Sequence, residues 1–241
     1  MQKSQPLYHI NLFSEYPTIS HAVSSVPFGT MKKSDGELHH ANLIKFVRAA
    51  NIKGQVIGMR QIHSANVSVV ENTRELRIPD VDALVTNKKD LALTVLTADC
   101  LPIFLFDPKH QVIGIVHAGS KGLLRGVIEN TVHTFVTMFN SDPKDILAGI
   151  GPGIETSCYE VGHEYAKTYQ EAYPDFNGFI AEKDGKAFLD LRAMATQLLQ
   201  KEGILDMHIE VTNICTKCDT NFYSYRRGDK DDRFASIIRL R

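Results

Sequence analysis

The sequence predicts an α+β fold in which helices cover layered β-sheets, and three observations support this class. First, a chain of 241 residues with 43% hydrophobic and 23% charged residues has an ordinary globular composition, which excludes disordered, collagen-like and coiled-coil proteins. Second, a strand-rich first half is followed by helices interleaved with strands, unlike a regular βαβ array. Third, runs such as LPIFLFD (101–107) are too apolar for a sheet with one solvated face. We predict a single domain over residues 1–241, because a chain of this length can bury one sizeable core.

The strand predictions rest on short β-rich runs bounded by turn residues. In order they are GQVIGMRQIH (54–63), SANVSVV (64–70), DALVTN (82–87), LALTVLTADC (91–100), LPIFLFD (101–107) and QVIGIVH (111–117). Two later runs, VTNICT (211–216) and FASIIRL (234–240), are expected to supply further strands among the helices.

Helices are predicted where apolar residues recur every three to four positions. This spacing is found in the set Leu124, Ile128, Thr131, Phe135 and Met138, in a helix that begins near Leu123. A second helix is predicted from Leu189 to Leu199, with Asp190 near its N-terminus. Two further helices are expected over 161–173 and around 42–49.

The charge balance and the N-terminus narrow the possible partners and the compartment. The 27 Lys and Arg residues nearly cancel the 28 Asp and Glu residues, so no overall field would attract nucleic acid or anionic lipid. The start MQKSQPLYHINLF lacks the apolar segment of a signal peptide, and no apolar stretch is long enough for a spanning helix. We therefore expect a cytoplasmic protein with no nucleic-acid or membrane partner, whose four cysteines are thiols or metal ligands.

Three of the apolar runs end in a residue type that binds transition metals. His63, Cys100 and His117 close their respective runs, and residues at strand ends can converge on one pocket. One thiolate with two imidazoles suits zinc, whose catalytic sites keep three protein ligands and one open position. Taken singly, the cysteine also fits a small buried hydrophobe and each histidine an ordinary hydrogen-bonded side chain.

The pair Cys215 and Cys218 in CTKC is a second candidate, because C-x-x-C pairs bind zinc or exchange disulfides. A structural zinc would need two more ligands at comparable spacing, and none follows in FYSYRRGDKDDR. A C-x-x-C pair that exchanges disulfides is expected beside a βαβ unit, and the sequence around CTKC does not predict one. We therefore interpret these cysteines as packing residues beside the site.

Two segments are candidates for anion binding. The segment AGSKG, with Lys121, lies between the strand ending at His117 and the next helix, where free backbone amides can meet a phosphate. The glycine-rich turn GIGPGIE is a second candidate of the same kind. Each also fits a simple tight turn.

The C-terminal segment YSYRRGDKDDR combines cationic and aromatic side chains that can hold a phosphate and stack on a base. The residues concerned are Arg226, Arg227, Arg233, Tyr223 and Tyr225. The alternative is a solvated charged loop.

Together the motifs RQIHSANV, DALVTN, TADCLPIFLFD, VIGIVHAGSKG, GIGPGIETSCYEVG and CTKCDTNFYSYRR resemble the YfiH family, also called the laccase-domain or multicopper polyphenol oxidoreductase family. They cover the chain from about residue 55 to the C-terminus. The resemblance implies that His63, Cys100 and His117 bind zinc. It also implies a four-layer α/β/β/α sandwich, shared with a bacterial toxin deamidase domain that uses a Cys and His pair.

The resemblance implies zinc-dependent phosphorolysis of adenosine, inosine, guanosine and methylthioadenosine, with adenosine deamination as a further activity. An older family label is copper-dependent oxidation of phenols. Zinc is favoured over copper because one three-ligand site with a thiolate lacks the paired histidine motifs of a trinuclear copper oxidase. The remaining alternatives are a hydrolase with Cys100 as nucleophile and His117 as base, and a zinc-binding module without activity.

The resemblance and the motif positions complete the predicted site. Asp99 joins the three ligands in the catalytic set, and purine nucleoside and phosphate are the expected small-molecule partners. The predicted substrate and phosphate contacts are Gln61, Ser120, Lys121, Arg226 and Arg227.

Two departures from the family pattern stand out. The family carries Trp and then a basic residue after HAG, whereas this chain has Ser120 and Lys121 and contains no Trp. Near the N-terminus, Ser24 and Ser25 lie where the family tends to have an arginine-containing segment. We therefore expect a slow enzyme.

Overall fold

A computed structural model describes residues 7–34, 36–72 and 74–241. Its five α-helices within these residues are α1 (His40–Ala49), α2 (Ser120–Leu124), α3 (Val127–Phe139), α4 (His163–Ala172) and α5 (Leu191–Lys201). The strands in the same residues are β1 (Ile19–Val23), β2 (Gln55–Met59), β3 (Val67–Val69), β4 (Arg77–Ile78), β5 (Ala83–Thr86), β6 (Leu91–Thr97), β7 (Leu101–Asp107), β8 (Val112–Ala118), β9 (Leu147–Ile150), β10 (Glu160–Val161), β11 (Ile180–Lys183), β12 (Lys186–Leu189), β13 (Ile209–Val211) and β14 (Phe234–Leu240).

The strands form two large mixed sheets and one small antiparallel sheet. One large sheet has the order β1-β14-β6-β2-β4, and the other has the order β13-β9-β7-β8-β5-β3. The small sheet has the order β10-β12-β11. Its strands follow β6, β7 and β8 in the chain. In the six-stranded sheet, β7 and β8 are antiparallel neighbours, with Pro102 opposite His117.

The two large sheets pack face to face, and helices cover their outer faces. Phe104 and Ile115 of the six-stranded sheet share an apolar cluster with Leu93 and Phe234 of the five-stranded sheet. On the outer side of the six-stranded sheet, a second cluster joins its strands to α3 and α5. A third cluster joins α1 to the five-stranded sheet. These four layers confirm the α/β/β/α sandwich, and the complete burial of β7 and β8 confirms that their strands are covered on both faces.

Some element boundaries differ from the sequence predictions. The helix expected from about Leu123 is divided into α2 and α3, because Gly126 has a φ of 90° that interrupts regular helix geometry. Met138, placed on its apolar stripe by the periodicity, is 62% exposed. The strand expected over 211–216 is wrong in its position: β13 spans Ile209–Val211, and its partner β9 ends at Ile150, so the later residues have no neighbouring strand to extend. Among the described residues, every helix falls short of the length and apolarity that a membrane span requires.

Candidate metal centre and cavity

Three loops and strand ends bring the predicted metal ligands together. Cys100 lies in the turn between β6 and β7, His117 is the penultimate residue of β8, and His63 lies in the loop after β2. One donor atom from each residue lies within 4.8 Å of the others. His117 is buried, Cys100 is partly buried and His63 is exposed, so the cluster opens to solvent on one side.

Asp82, just before β5, organises two of the three ligands. Its Oδ1 accepts hydrogen bonds from Nδ1 of His117 at 2.7 Å and from the backbone amide of His63 at 3.0 Å. Its Oδ2 accepts from the amide and the hydroxyl of Ser64, at 2.6 Å and 2.7 Å. Because Nδ1 of His117 is used in this way, Nε2 is the nitrogen left to coordinate a metal. The main chain of His63 adopts a φ of 58°, and its carbonyl accepts from Arg125 at 2.6 Å.

The electrostatics favour charged forms of these groups. Burial opposes ionisation of Asp82, but hydrogen bonds from His117 and Ser64 lower its pKa to about 2. Burial also opposes ionisation of Cys100, but the adjacent His117 and then His63 lower the pKa of its thiol to about 6. Conversely, the Cys100 sulfur and Asp82 raise the pKa of His117 above its ordinary value, against the effect of burial. The sulfur is thereby prepared as a thiolate, the form that binds metals.

The backbone at Gly119 approaches the cluster so closely that no side chain fits. A Cβ built on Gly119 would lie 2.7 Å from Sγ of Cys100 and 3.2 Å from Cδ2 of His63. The φ of Gly119 is -85°, so the restriction comes from space and not from backbone conformation. Glycine here keeps the thiolate and His63 free to approach a common ion.

We expect Gly119→Ala to weaken metal binding at the candidate centre by roughly 10- to 100-fold, since overpacking a tight contact costs about 1–3 kcal/mol and here displaces the side chains of Cys100 and His63. Competition with a chromophoric chelator measures this. Gly162→Ala is the matched control, because a Cβ on Gly162 meets nothing within 4 Å. Equal zinc affinity in the two variants would contradict the close approach.

The candidate centre lies in the wall of a cavity of about 640 Å³. The cavity wall is strongly cationic, and among the described residues that line it Asp99 is the single carboxylate. Its lysine and arginine side chains are Lys32, Arg77, Lys121, Arg125, Arg226 and Arg233. Such a wall attracts anions, and phosphate binding by several convergent cations is strong.

The structure places four of the predicted substrate contacts on this cavity: Gln61, Ser120, Lys121 and Arg226. The amide of Gln61 pairs with the backbone of Leu96, donating at 2.7 Å and accepting at 3.1 Å, which fixes the loop that carries His63. The guanidinium of Arg226 donates to the carbonyl of Glu160 at 2.8 Å and lies over the ring of Tyr159, 4.9 Å from its centroid.

Arg227 lies apart from this group. Its guanidinium donates to the carbonyls of Thr216 at 2.7 Å and Lys217 at 3.2 Å, and forms an ion pair with Asp229 at 2.6 Å. It is absent from the described residues that line the cavity. Arg227 therefore stabilises the C-terminal loop, whereas the neighbouring Arg226 lines the cavity.

Asp99 also ties loops together. One carboxylate oxygen accepts from the hydroxyl of Thr216 at 2.7 Å, and the other accepts from the backbone amide of Arg226 at 2.7 Å. The side chain is buried, and its φ of 88° is unusual for a residue other than glycine. This geometry makes Asp99 a positioning residue for the Arg226 loop.

Ser120, the residue after Gly119, is enclosed by tyrosines. Its Oγ lies 3.0 Å from the hydroxyls of both Tyr159 and Tyr165, which donate to it, and its carbonyl accepts from Tyr169. Tyr159 also lines the cavity, so an aromatic surface lies next to Ser120.

Sequence reasoning missed several residues of this site. Asp82 was only the first letter of the DALVTN run, and its role depends on the pairing of β5 with β8, which sets Ala83 opposite Val116. Tyr159 belongs to the motif GIGPGIETSCYEVG, which indicates the family without assigning a role to this position, and Arg125 lies three residues beyond the end of the motif VIGIVHAGSKG. Lys32 and Arg77 carried no signal, because they come from separate parts of the chain.

The fold and site define an α/β/β/α protein with a candidate His-Cys-His metal centre in the wall of a cationic cavity. The chain belongs to the family described as multi-copper polyphenol oxidoreductase laccase, which matches residues 18–241. This confirms the family resemblance of the sequence motifs.

Individual relatives and structures agree with this assignment. A Mycobacterium tuberculosis protein named purine nucleoside phosphorylase is 32% identical over 222 residues, covering 90% of this chain and 87% of its own length. A protein named adenosine deaminase, from an unknown prokaryotic organism, is 32% identical over 179 residues, covering 70% and 68%. The crystal structure of Bacillus licheniformis hypothetical protein YfiH superposes with a TM-score of 0.85 at 25% identity, covering 100% of this chain and 98% of that one.

Proposed function

We propose that this protein is a zinc-dependent purine nucleoside phosphorylase. The observation that carries the proposal is the position of the His63, Cys100 and His117 cluster in the wall of a cavity with six cationic side chains. The names of the relatives, purine nucleoside phosphorylase and adenosine deaminase, support the same substrate class.

The donor set suits zinc. Nε2 of His117 is left free by Asp82, the Cys100 thiol ionises readily, and Gly119 leaves room beside both Cys100 and His63. When bound there, zinc would supply a Lewis acid with one open coordination position. Within the described residues, one candidate metal-binding cluster contains histidines and the other consists of cysteines alone. A multicopper oxidase binds its copper ions through many histidines, so these clusters do not match that class of enzyme.

Phosphorolysis requires phosphate and the sugar of the nucleoside to be held next to each other. An oxygen of phosphate forms a bond to C1′ while the bond from C1′ to the purine nitrogen breaks, and the electron pair leaves with the base, which takes up a proton. Lys121 and Arg125 lie four residues apart at α2, and Arg226 comes from the C-terminal loop. Together they can hold phosphate from two sides, while Tyr159 and Tyr225 offer aromatic surface for a base.

The test is a nucleoside panel with and without inorganic phosphate, followed by chromatography of bases and sugars, with His63→Ala as the control. We expect adenosine or inosine to yield free base and ribose 1-phosphate only with phosphate present. Inosine formed from adenosine without phosphate would instead assign deamination, and no turnover by the zinc-loaded protein would reduce the chain to a binding module.

Lys121→Ala should raise the KM for phosphate roughly tenfold or more, since a hydrogen bond to a charged group contributes about 1.5–3 kcal/mol. The KM for the nucleoside should change much less. Steady-state kinetics with each substrate varied in turn measures both. Lys167→Ala, an exposed lysine on α4 paired with Glu171 at 3.7 Å, is the control. An unchanged phosphate KM in Lys121→Ala would remove this loop from the phosphate site.

A Cys/His hydrolase is the second candidate, and one observation favours it. Asp82, His117 and Cys100 form a chain of interacting groups, in the order of acid, base and nucleophile found in cysteine hydrolases. The position of His63 as a third donor favours the metal centre, because a nucleophile and base need no second imidazole.

A further inference from the structure

The other three cysteines also lie together, in loops beside the cavity. Cys158 comes from the segment before β10, and Cys215 and Cys218 come from CTKC. Their sulfur atoms lie within 4.8 Å of one another, and Sγ of Cys158 is 3.4 Å from Sγ of Cys218. One of the two further ligands that the C-x-x-C pair requires is thus supplied by Cys158 from upstream in the chain, where short-range spacing could not reveal it.

A backbone amide contacts the sulfur of Cys215. The amide of Glu155 donates to Sγ of Cys215 at 3.4 Å. A hydrogen bond of this kind stabilises a metal-bound thiolate, because outer hydrogen bonds offset the charge of the ligand.

The spacing of the sulfurs fits a shared ion. With Zn–S bonds of about 2.3 Å, tetrahedral geometry places two sulfurs about 3.8 Å apart. The 3.4 Å between Cys158 and Cys218 is close to this value and well beyond a disulfide bond of about 2.05 Å. A disulfide would use two of the three sulfurs, whereas all three converge here.

We propose that Cys158, Cys215 and Cys218 bind one zinc-class ion through three thiolates, with the fourth position open to solvent. Soft thiolate ligands select such ions over calcium or magnesium. The exposure of Cys218 places the open position at the surface. Binding releases the thiol protons to solvent, and no oxidant is required.

The ion would join two loops that shape the cavity. Cys158 precedes Tyr159, which lines the cavity, and Thr216 follows Cys215 and donates to Asp99. The two loops already touch through a bridge between Gly153 and Cys215. The ion would therefore link the two loops, and its binding does not depend on the reaction at the other centre.

The test is metal stoichiometry on protein purified under reducing, oxygen-free conditions, loaded with zinc, desalted and analysed for zinc and free thiols. We expect two zinc ions per chain in the wild type, one in Cys100→Ser, one in Cys158→Ser and none in the double variant. Ser157→Ala, beside Cys158, should retain two. One zinc in the wild type that disappears completely in Cys100→Ser would overturn the proposal.

Cobalt substitution provides a second measurement that leaves all three thiols intact. Cys100→Ser loaded with Co(II) should keep an intense sulfur-to-cobalt absorption band, because the only thiolates remaining are those of the proposed site. Absence of this band, or a Cys158–Cys218 disulfide detected in the oxygen-free protein, would contradict the site. Both readouts are independent of nucleoside turnover, so failure of the proposed function would leave them interpretable.

Discussion

Cys100→Ala should lose one zinc ion per chain and lower phosphorolysis by on the order of 10³-fold or more. The thiolate is the single anionic ligand of the cluster, so its removal leaves two neutral imidazoles to hold a dication. Loss of the Lewis acid removes several kcal/mol of transition-state stabilisation, and about 4 kcal/mol corresponds to 10³-fold. Elemental analysis and phosphorolysis assays on the same preparation measure both effects.

The control is the wild type treated with a chelator. Comparing its thermal unfolding with that of the chelated variant measures what the Cys100 side chain contributes besides metal binding, including its interaction with His117. Full activity in the zinc-free variant would contradict a metal role for Cys100.

Alkylation separates the metal centre from the Cys/His hydrolase. Zinc should protect Cys100 from iodoacetamide, and the chelated protein should react quickly because its thiol has a lowered pKa. Modification of Cys100 at the same rate with and without zinc, together with a trapped acyl-enzyme, would support the hydrolase instead.

Asp82→Asn should lower the free energy of unfolding by about 3–5 kcal/mol, the cost of disrupting a buried charged network. The groups bound to this carboxylate are all donors: the amides of residues 62–64, the Ser64 hydroxyl and Nδ1 of His117. An asparagine amide would direct its own N–H groups at some of these donors. The His117 ring would also lose the contact that fixes its tautomer, which lowers zinc affinity by about 10- to 100-fold. Denaturant unfolding and chelator competition measure the two effects.

Asp80→Asn is the matched control on the same loop. Its carboxylate pairs with Arg60 at 2.9 Å, and the two side chains are more than half exposed. An exposed pair of this kind contributes about 0–1 kcal/mol, so this variant should be nearly as stable as the wild type and bind zinc equally well. If Asp80→Asn and Asp82→Asn lowered the free energy of unfolding and the zinc affinity equally, the loop would be sensitive to any substitution. That result would contradict a specific role for Asp82.

The sequence by itself determined the layered α+β fold and the family. Runs such as LPIFLFD contain no polar residue before Asp107, so they require apolar layers on both sides, and β7 is indeed buried throughout. The three predicted metal ligands were visible because each ends an apolar run, and strand ends carry side chains into the loops where sites form.

Tertiary structure alone decided which residues support those ligands. Asp82 reaches His117 only because β5 pairs with β8, and Cys158 reaches Cys218 across 60 positions of the chain. It also separated Arg226, which faces the cavity, from its neighbour Arg227, whose guanidinium binds loop carbonyls. Local sequence records the periodicity that buries apolar residues, but contacts between distant loops depend on strand register and loop direction, which short-range patterns do not specify.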